Sequence, residues 1–203
     1  MKVACLFSGG KDSCYAAFWS IYSGFDVILI CVKSEEDSYM FHHPNLDKTK
    51  LQAKEMELEI EYIDANNKNE LLKLEEKLKE LKVEGIVTGA FSSEYQKQRI
   101  DIIGERLGIP AFSPLWHKED EIIEEIKKYF KTYIVSVSAE GLFEKHLGMN
   151  FKDIGEIKGV NKMFEGGEAE TFVSYAPFFK NEISIKCFRK KWDGIRGVAE
   201  IEV

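Results

Sequence analysis

The sequence lacks several features that mark a secreted, membrane-bound or metal-binding protein. No apolar run approaches the roughly 20 residues that a membrane-spanning helix needs, and residues 1–7 are too short a segment for a secretory signal. The four cysteines show no C-x-x-C spacing, which argues against a zinc site or a disulfide framework. We therefore expect a cytoplasmic protein that contacts no membrane. Its thiols should be reduced and mostly buried, at Cys5, Cys14, Cys31 and Cys187.

The sequence also lacks the excess of basic residues that is typical of nucleic-acid-binding proteins. Its 28 lysines and arginines stand against 35 aspartates and glutamates, which gives a formal net charge of −7. This balance predicts no stable complex with nucleic acid. A local basic stretch, "FRKKWDGIR" at residues 188–196, either faces an acidic partner or is solvated surface.

What the sequence does contain is an alternation of apolar runs and amphipathic helical patterns over residues 1–130. Continuous apolar runs at 3–7, 27–32 and 85–90 are typical of parallel strands covered on both faces, and a further strand is expected at 60–65. Helical spacing lies between and after these runs, at 15–22, 71–81, 94–107 and 119–130. The pattern predicts an α/β fold with a doubly wound parallel sheet, whose ligands bind at the carboxyl ends of the strands.

From about residue 131 the alternation becomes less regular. Short strand-like runs at 132–138, 183–188 and 197–203 surround a cluster of glycines and glutamates, which predicts a smaller α+β part over 131–203. No Pro-rich or Ser-rich linker separates the two parts. We therefore expect them to pack together with a cleft between them.

The stretch "LFSGGKDSCYAAFW" at residues 6–19 places a glycine turn between the first strand and a helix. Such a turn exposes backbone N–H groups at the positive end of a helix dipole, where phosphate binds. The P-loop needs four residues between its first glycine and Gly-Lys-Ser/Thr, and this turn does not have them. The bare pattern leaves two alternatives, a different kind of phosphate loop or a plain turn in which Asp12 or Ser13 caps the helix.

Three further segments contain candidate functional groups. "SYMFHHPN" at 38–45 follows the second strand, and "TGAFSSEYQKQR" at 88–99 joins a strand end to a helix. "EGGEAET" at 165–171 is an acidic cluster that either binds a cation or forms a solvated turn.

Residues 8–13, "SGGKDS", resemble the PP-loop of the N-type ATP pyrophosphatases. Together with S-Y-M-F-H at 38–42, the segment 89–99, P-L-W at 114–116 and E-G-G-E-x-E-T at 165–171, the chain resembles the diphthine ammonia ligase family over nearly its whole length. Two departures are Phe164, where relatives often have glycine, and Ala169, where many have tyrosine.

The resemblance implies an enzyme that uses ATP and Mg²⁺ to amidate diphthine on translation elongation factor 2. The carboxylate would attack the α phosphate, the PP-loop would hold the pyrophosphate leaving group, and ammonia would then displace AMP. Residues 1–130 would bind the nucleotide and residues 131–203 the acceptor. The partners would be elongation factor 2 bearing diphthine, free ammonia and, in a homo-oligomer, further copies of the chain.

The resemblance also assigns roles to individual residues. Lys11, Asp12 and Ser13 would be catalytic, and Asp12 would bind the metal. Nucleotide-binding residues would be Ser8, Gly9, Gly10, Lys11, Asp12, Ser13 and Gly89. Substrate-binding residues would be Ser38, Tyr39, His42, Glu94, Tyr95, Gln96, Arg99, Glu165, Gly166, Gly167, Glu168, Glu170 and Thr171.

Two other functions are compatible with a PP-loop. One is a ligase that adenylates a tRNA base or a small carboxylate, although the acidic charge and the unpaired cysteines argue against tRNA thiolation. The other is a regulatory module that binds ATP without turnover. Such a module would need neither Asp12 nor the acidic cluster, so acceptor-dependent formation of AMP distinguishes the alternatives.

Overall fold

The first half of the chain forms a five-stranded parallel sheet. The computed structural model describes residues 1–34 and 44–203. The strands in chain order are β1 (Lys2–Leu6), β2 (Asp26–Lys33), β3 (Glu59–Asp64), β4 (Gly85–Val87) and β5 (Ala111–Phe112). Across the sheet their order is β3-β2-β1-β4-β5, and every neighbouring pair is parallel. Because the order reverses at β1, a crevice opens beside the carboxyl ends of β1 and β4.

Helices cover both faces of this sheet. They are α1 (Lys11–Tyr22), α2 (Thr49–Met56), α3 (Glu70–Leu81), α4 (Glu94–Leu107) and α5 (Glu119–Tyr129). Alternate residues of β1 point to opposite faces, so Ala4 and Leu6 join one core cluster and Val3 and Cys5 the other. Both clusters are apolar, which explains the continuous hydrophobicity of the parallel strands.

The second half forms a four-stranded antiparallel sheet. Its strands are β6 (Lys131–Val137), β7 (Ala169–Tyr175), β8 (Cys187–Trp192) and β9 (Gly197–Glu202), in the order β7-β6-β9-β8. Buried residues of this sheet, including Ile134, Phe172 and Ile201, belong to the same core cluster as Cys14 and Ala17 of α1. The two sheets therefore share a hydrophobic core.

The predicted α/β class and the four predicted parallel strands are confirmed, with differences at their ends. β4 stops at Val87, so Thr88–Ala90 leave the sheet and line the crevice. The aromatic side chains of α1, at Tyr15, Phe18 and Trp19, are only half-buried, and Tyr22 is 84% exposed. The helix instead buries a face of small residues, Cys14, Ala16, Ala17 and Ser20.

Parts of the second half differ from the sequence expectation. β7 begins at Ala169, inside the acidic cluster, and β8 begins only at Cys187, so it includes residues 188–192 of the basic stretch. Cys5, Cys14 and Cys31 are buried as expected, while Cys187 is exposed. In the described part of the chain, no helix has the length and apolarity to cross a membrane.

Candidate active site

Residues 7–10 form the loop that connects β1 to α1 at the carboxyl edge of the parallel sheet. The cleft beside them, here called the nucleotide cleft, is lined by both halves of the chain. From the first half come Ser8, Asp12, Ser13, Gly89 and Gln96, and from the second half Met163, Phe164, Glu165, Gly166, Gly167 and Glu170. Of the predicted nucleotide-binding residues, Ser8, Asp12, Ser13 and Gly89 thus line the cleft, whereas Gly9, Gly10 and Lys11 lie behind its surface.

Two serine hydroxyls hold the loop in one shape. Ser13 Oγ accepts a hydrogen bond from Ser8 N at 3.2 Å, donates to the Gly10 carbonyl at 3.1 Å and lies 3.2 Å from Ser8 Oγ. Cys14 N donates to the same Gly10 carbonyl at 3.0 Å. The helix α1 therefore begins directly at the loop, with the positive end of its dipole at the cleft.

Lys11 and Asp12 form an ion pair at the back of the cleft. Lys11 Nζ donates to Asp12 Oδ2 at 2.8 Å and to the Met163 carbonyl at 2.6 Å, and the lysine is only 2% exposed. Asp12 keeps 34% of its side chain exposed and lines the cleft. The ammonium of Lys11 thus joins the loop to the second half, and its predicted contact with phosphate stays a prediction.

The edge of β7 docks against the loop. Val173 N donates to the Gly9 carbonyl at 3.1 Å, and Lys11 N donates to Thr171 Oγ1 at 3.0 Å. Thr171, which the sequence places among the substrate-binding residues, is 3% exposed and contacts the loop. The second sheet therefore helps to hold the loop in place.

Gln52 of α2 also supports the loop, and sequence reasoning missed it. Its Nε2 donates to the Gly9 carbonyl at 2.9 Å and to the Val173 carbonyl at 2.8 Å, and the side chain is fully buried. A buried polar side chain on the apolar face of a helix requires hydrogen-bond partners. A glutamine on that face is the feature of the sequence that could have indicated this role.

Gly89 lets the end of β4 approach the first turn of α1. A Cβ at this position would lie 2.8 Å from the Asp12 carbonyl and 2.9 Å from Ser13 N, closer than a side chain tolerates. A larger residue at this position would therefore push the end of β4 away from α1.

The acidic segment forms another part of the cleft wall, through Glu165, Gly166, Gly167 and Glu170. Phe164 adopts a left-handed backbone with φ 58°, a conformation that favours glycine, which is the residue that the family resemblance gives at this position. Gly166 and Gly167 also have positive φ, 70° and 76°, and an added Cβ would meet nothing within 4 Å at either position. There is therefore free space beside the backbone of both glycines.

The carboxylates of the acidic segment have different surroundings. Burial, reinforced by the negative charge of Asp12, raises the pKa of Glu165. Glu168 Oε2 accepts a hydrogen bond from Asn161 N at 2.8 Å. Glu170 lines the nucleotide cleft and also the cavity next to it.

That second cavity, here called the sheet groove, runs over the second sheet. It is lined by Tyr95 of α4 and, from the second sheet and its connections, by Ser136, Ser138, Lys191, Arg196 and Val198. Gln96, Gly166, Gly167 and Glu170 line both the groove and the nucleotide cleft. The two cavities therefore meet at these four residues.

The remaining predicted substrate-binding residues lie away from these cavities or outside the described chain. The Arg99 guanidinium stacks on the Tyr95 ring at 3.2 Å from its centroid and donates to the Tyr95 carbonyl. Glu94, Arg99, Glu168 and Thr171 line neither cavity. The predictions for Ser38, Tyr39 and His42 concern residues outside those that the structure describes.

The site provides few protein ligands for a metal. Over residues 1–34 and 44–203, no three histidine, cysteine or carboxylate side chains form a metal-binding group. Mg²⁺ in nucleotide enzymes needs only one or two carboxylates, because phosphate oxygens and water complete its shell. Asp12 at the loop, with the negative charge of Glu165 near it, fits that requirement.

Cys14 has no place in this chemistry. Its side chain is completely buried, and this burial raises the pKa of the thiol well above its ordinary value. Since the thiolate is the reactive form of cysteine, this side chain serves packing.

Comparison with known protein families matches the chain in two segments. Residues 1–111 match the diphthamide synthase N-terminal domain, and residues 118–203 match the diphthamide synthase C-terminal domain. The helix α5 thus falls in the C-terminal match, and the boundary predicted between residues 130 and 131 stays a prediction.

Individual relatives agree with the family match. A protein of Rattus norvegicus named diphthine–ammonia ligase is 32% identical over 91% of this chain and 83% of its own length, and its Homo sapiens counterpart is 33% identical over the same shares. The fold also resembles the crystal structure of a predicted subunit of tRNA methyltransferase from Methanocaldococcus jannaschii. That likeness has a TM-score of 0.52 and 18% identity over 87% of this chain and 98% of the other.

The order of the strands, the supported loop at the crevice and the two family matches all lead to one assignment. The chain belongs to the diphthamide synthase family.

Proposed function

We propose that this protein is a diphthine–ammonia ligase that amidates diphthine on translation elongation factor 2 through an acyl adenylate. The relatives in its family carry the name of this ligase. The observation that carries the proposal is the junction of the nucleotide cleft with the sheet groove at Gln96, Gly166, Gly167 and Glu170. This junction would bring a nucleotide and a protein side chain to one point from two directions.

The nucleotide cleft would hold ATP with its phosphates at the loop. The N-terminus of α1 supplies backbone N–H groups and the positive end of the helix dipole at this end of the cleft, beside the hydroxyls of Ser8 and Ser13. The β and γ phosphates would occupy this end as the pyrophosphate leaving group. Catalysis would then consist mainly of electrostatic stabilisation by groups that are already in position.

Asp12 is the residue that would hold Mg²⁺, together with phosphate oxygens. Its side chain lines the cleft and is 34% exposed, and the ion pair with Lys11 helps to orient it. When bound, the ion would offset negative charge on the phosphates during transfer.

The sheet groove would admit the modified histidine of the elongation factor. Diphthine carries a trimethylammonium group, which has no N–H donor, so carboxylate charge and aromatic faces must recognise it. Glu170 lies where the groove enters the cleft, and Tyr95 lines the groove. The negative charge of Glu170 would hold the trimethylammonium in the groove and leave the diphthine carboxylate pointing toward the phosphates.

The reaction then has two balanced steps. An oxygen of the diphthine carboxylate attacks the α phosphorus and the bond to pyrophosphate breaks. The nitrogen of ammonia next attacks the acyl carbon, loses a proton to solvent, and AMP leaves with the carboxylate oxygen. Splitting the substitution in this way replaces a poor leaving group by a good one.

The test is a reaction of the purified protein with diphthine-bearing elongation factor 2, ATP and ammonium. We expect amidated factor with equal amounts of AMP and pyrophosphate, and no AMP when the unmodified factor replaces the substrate. Formation of ADP and orthophosphate in equal amounts would overturn the proposal. Formation of AMP at the same rate with and without the acceptor would also overturn it.

A further inference from the structure

Gln52 lies under the phosphate loop and joins three elements at one point. Its amide comes from α2, the Gly9 carbonyl belongs to the loop, and the Val173 carbonyl belongs to β7. Both carbonyls need a donor at 2.8–2.9 Å, so the NH₂ end of the amide must face them. The side chain is 0% exposed. Its orientation is therefore set by the two carbonyls and not by solvent.

The other end of the same amide explains the first glycine of the loop. A Cβ on Gly9 would lie 2.4 Å from Gln52 Oε1, and Gly9 has φ 82°. Among the described residues Oε1 has no hydrogen-bond partner. The amide therefore leaves its acceptor oxygen without a hydrogen bond, while its NH₂ group donates to both carbonyls. The side chain is thus placed for the loop at an energetic cost.

The hydrogen bonds to Gly9 determine which way the next peptide faces. The Gly9 carbonyl accepts from Val173 N and from Gln52 Nε2, so it points into the protein. In a trans peptide the following N–H points in the opposite direction. The Gly10 N–H accordingly points toward Ser8 Oγ, at 3.5 Å, and Ser8 lines the nucleotide cleft.

We infer that Gln52 is a positioning residue that fixes the Gly9–Gly10 peptide so that the loop can bind pyrophosphate. The inference rests on the proposed function only in that the loop binds the phosphates of ATP. It attributes the conformation in which the loop binds pyrophosphate to contacts with α2 and β7, in addition to the hydrogen bonds of Ser8 and Ser13.

The experiment measures binding of magnesium pyrophosphate and the KM values of both substrates for Gln52→Met, which keeps the volume and removes both donors. We expect pyrophosphate affinity to fall at least tenfold and the KM for ATP to rise by a similar factor, while the KM for the acceptor changes less than twofold. Ser20→Ala is the matched control, because Ser20 is also 0% exposed and donates to a backbone carbonyl, that of Ala16 at 2.8 Å.

The control separates a general loss of stability from the positioning role. Ser20→Ala should lower stability but leave pyrophosphate affinity unchanged. A folded Gln52→Met protein that binds pyrophosphate within twofold of the wild type would overturn the inference. If the wild type itself binds no pyrophosphate or ATP, the proposed function fails instead.

A second variant and a measurement on the unchanged protein cover the case in which Gln52→Met does not fold. Gln52→Glu keeps the shape and replaces the donor by a carboxyl oxygen, and it should lose pyrophosphate affinity in the same way. In the wild type, the side-chain NH₂ resonances of Gln52 should be protected from exchange and should shift when pyrophosphate is added. Resonances that exchange freely and do not shift would contradict the inference.

Discussion

Two glycine pairs belong to segments at the nucleotide cleft, and their surroundings differ: Gly9 and Gly10 lie behind its surface, and Gly166 and Gly167 line it. Gly9 is held by Gln52 and Val173, and there is no room for a Cβ beside it. Gly166 and Gly167 have similar positive φ values, but nothing lies within 4 Å of a Cβ added to either. Both segments require glycine for their backbone conformation, and only the first also requires it for packing.

If the proposed function holds, this difference predicts that substitutions in the two segments affect different substrates. The phosphate loop is shaped by buried contacts, so changes to its support should reduce binding of ATP. The acidic segment is open to the cleft and the groove, so changes to its side chains should act on the acceptor. The predictions below test this division.

The largest effect is expected at Asp12, the charged group of the fixed side. Asp12→Asn should lower turnover by about 100-fold or more, a typical cost of removing one electrostatic group from a transition state. The fold should persist, since asparagine keeps an oxygen for the Lys11 ammonium. The measurement is AMP formation at saturating substrates.

Asp101→Asn is the matched control for that experiment. Asp101 also pairs with a lysine, Lys97, and its side chain is 37% exposed against 34% for Asp12. Turnover of the control should equal that of the wild type. Near-normal turnover of Asp12→Asn at limiting Mg²⁺ would remove the metal role from Asp12.

Gly9→Ala should have the next largest effect, on both stability and ATP affinity. A left-handed conformation alone costs a non-glycine residue about 1–2 kcal/mol, and the approach to Gln52 Oε1 adds to that cost. Gly24→Ala isolates the first contribution, because Gly24 has φ 76° and nothing within 4 Å of an added Cβ. Chemical denaturation should show a clearly larger loss for Gly9→Ala, and equal losses would mean that Gln52 does not constrain the loop.

Glu170→Gln should affect the other substrate. Removing the charge where the groove enters the cleft should raise the KM for the diphthine-bearing factor by about tenfold, as expected when binding to one substrate is lost, with the KM for ATP unchanged. Glu168→Gln should have a smaller effect, because its Oε2 accepts a backbone hydrogen bond that glutamine can still accept. A loss confined to ATP binding would refute the assignment of Glu170 to the acceptor.

The smallest effect concerns the stability of the acidic wall and its dependence on pH. Because burial and Asp12 raise the pKa of Glu165, the folded state binds this proton more tightly than the unfolded state. The ionised carboxylate therefore destabilises the fold, and the wild type should lose stability as the pH rises from the ordinary pKa of a glutamate through the raised value. Glu165→Gln should abolish this loss and melt higher than the wild type at neutral pH. Equal melting temperatures at neutral pH would contradict it.

The sequence predicts the first half better than the second for a physical reason. Parallel strands buried on both faces must be apolar throughout, so β1, β2 and β4 appear as continuous runs. β7 does not, because its polar residues have structural roles, as in the contact of Thr171 with Lys11 N. β5 has only two residues, too few for a pattern.

The candidate site also has a part that the sequence predicts and a part that it does not. The phosphate loop is a contiguous segment, so its six residues could be identified together, and Gly89 lies at the end of a recognisable strand. Gln52 acts through contacts with residues 43 and 121 positions away, which no local pattern indicates. Five residues that line the sheet groove were among the predicted substrate-binding residues: Tyr95, Gln96, Gly166, Gly167 and Glu170. Its residues from β6 and β9 were not predicted, because the groove forms only when α4, β6 and β9 meet.

The most direct test of the account follows the oxygen of the acceptor carboxylate. If the carboxylate attacks the α phosphorus, diphthine labelled with ¹⁸O in that group must transfer one label to AMP during amide formation. We predict labelled AMP and unlabelled pyrophosphate. Label in orthophosphate, with ADP as the other product, would contradict the central claim.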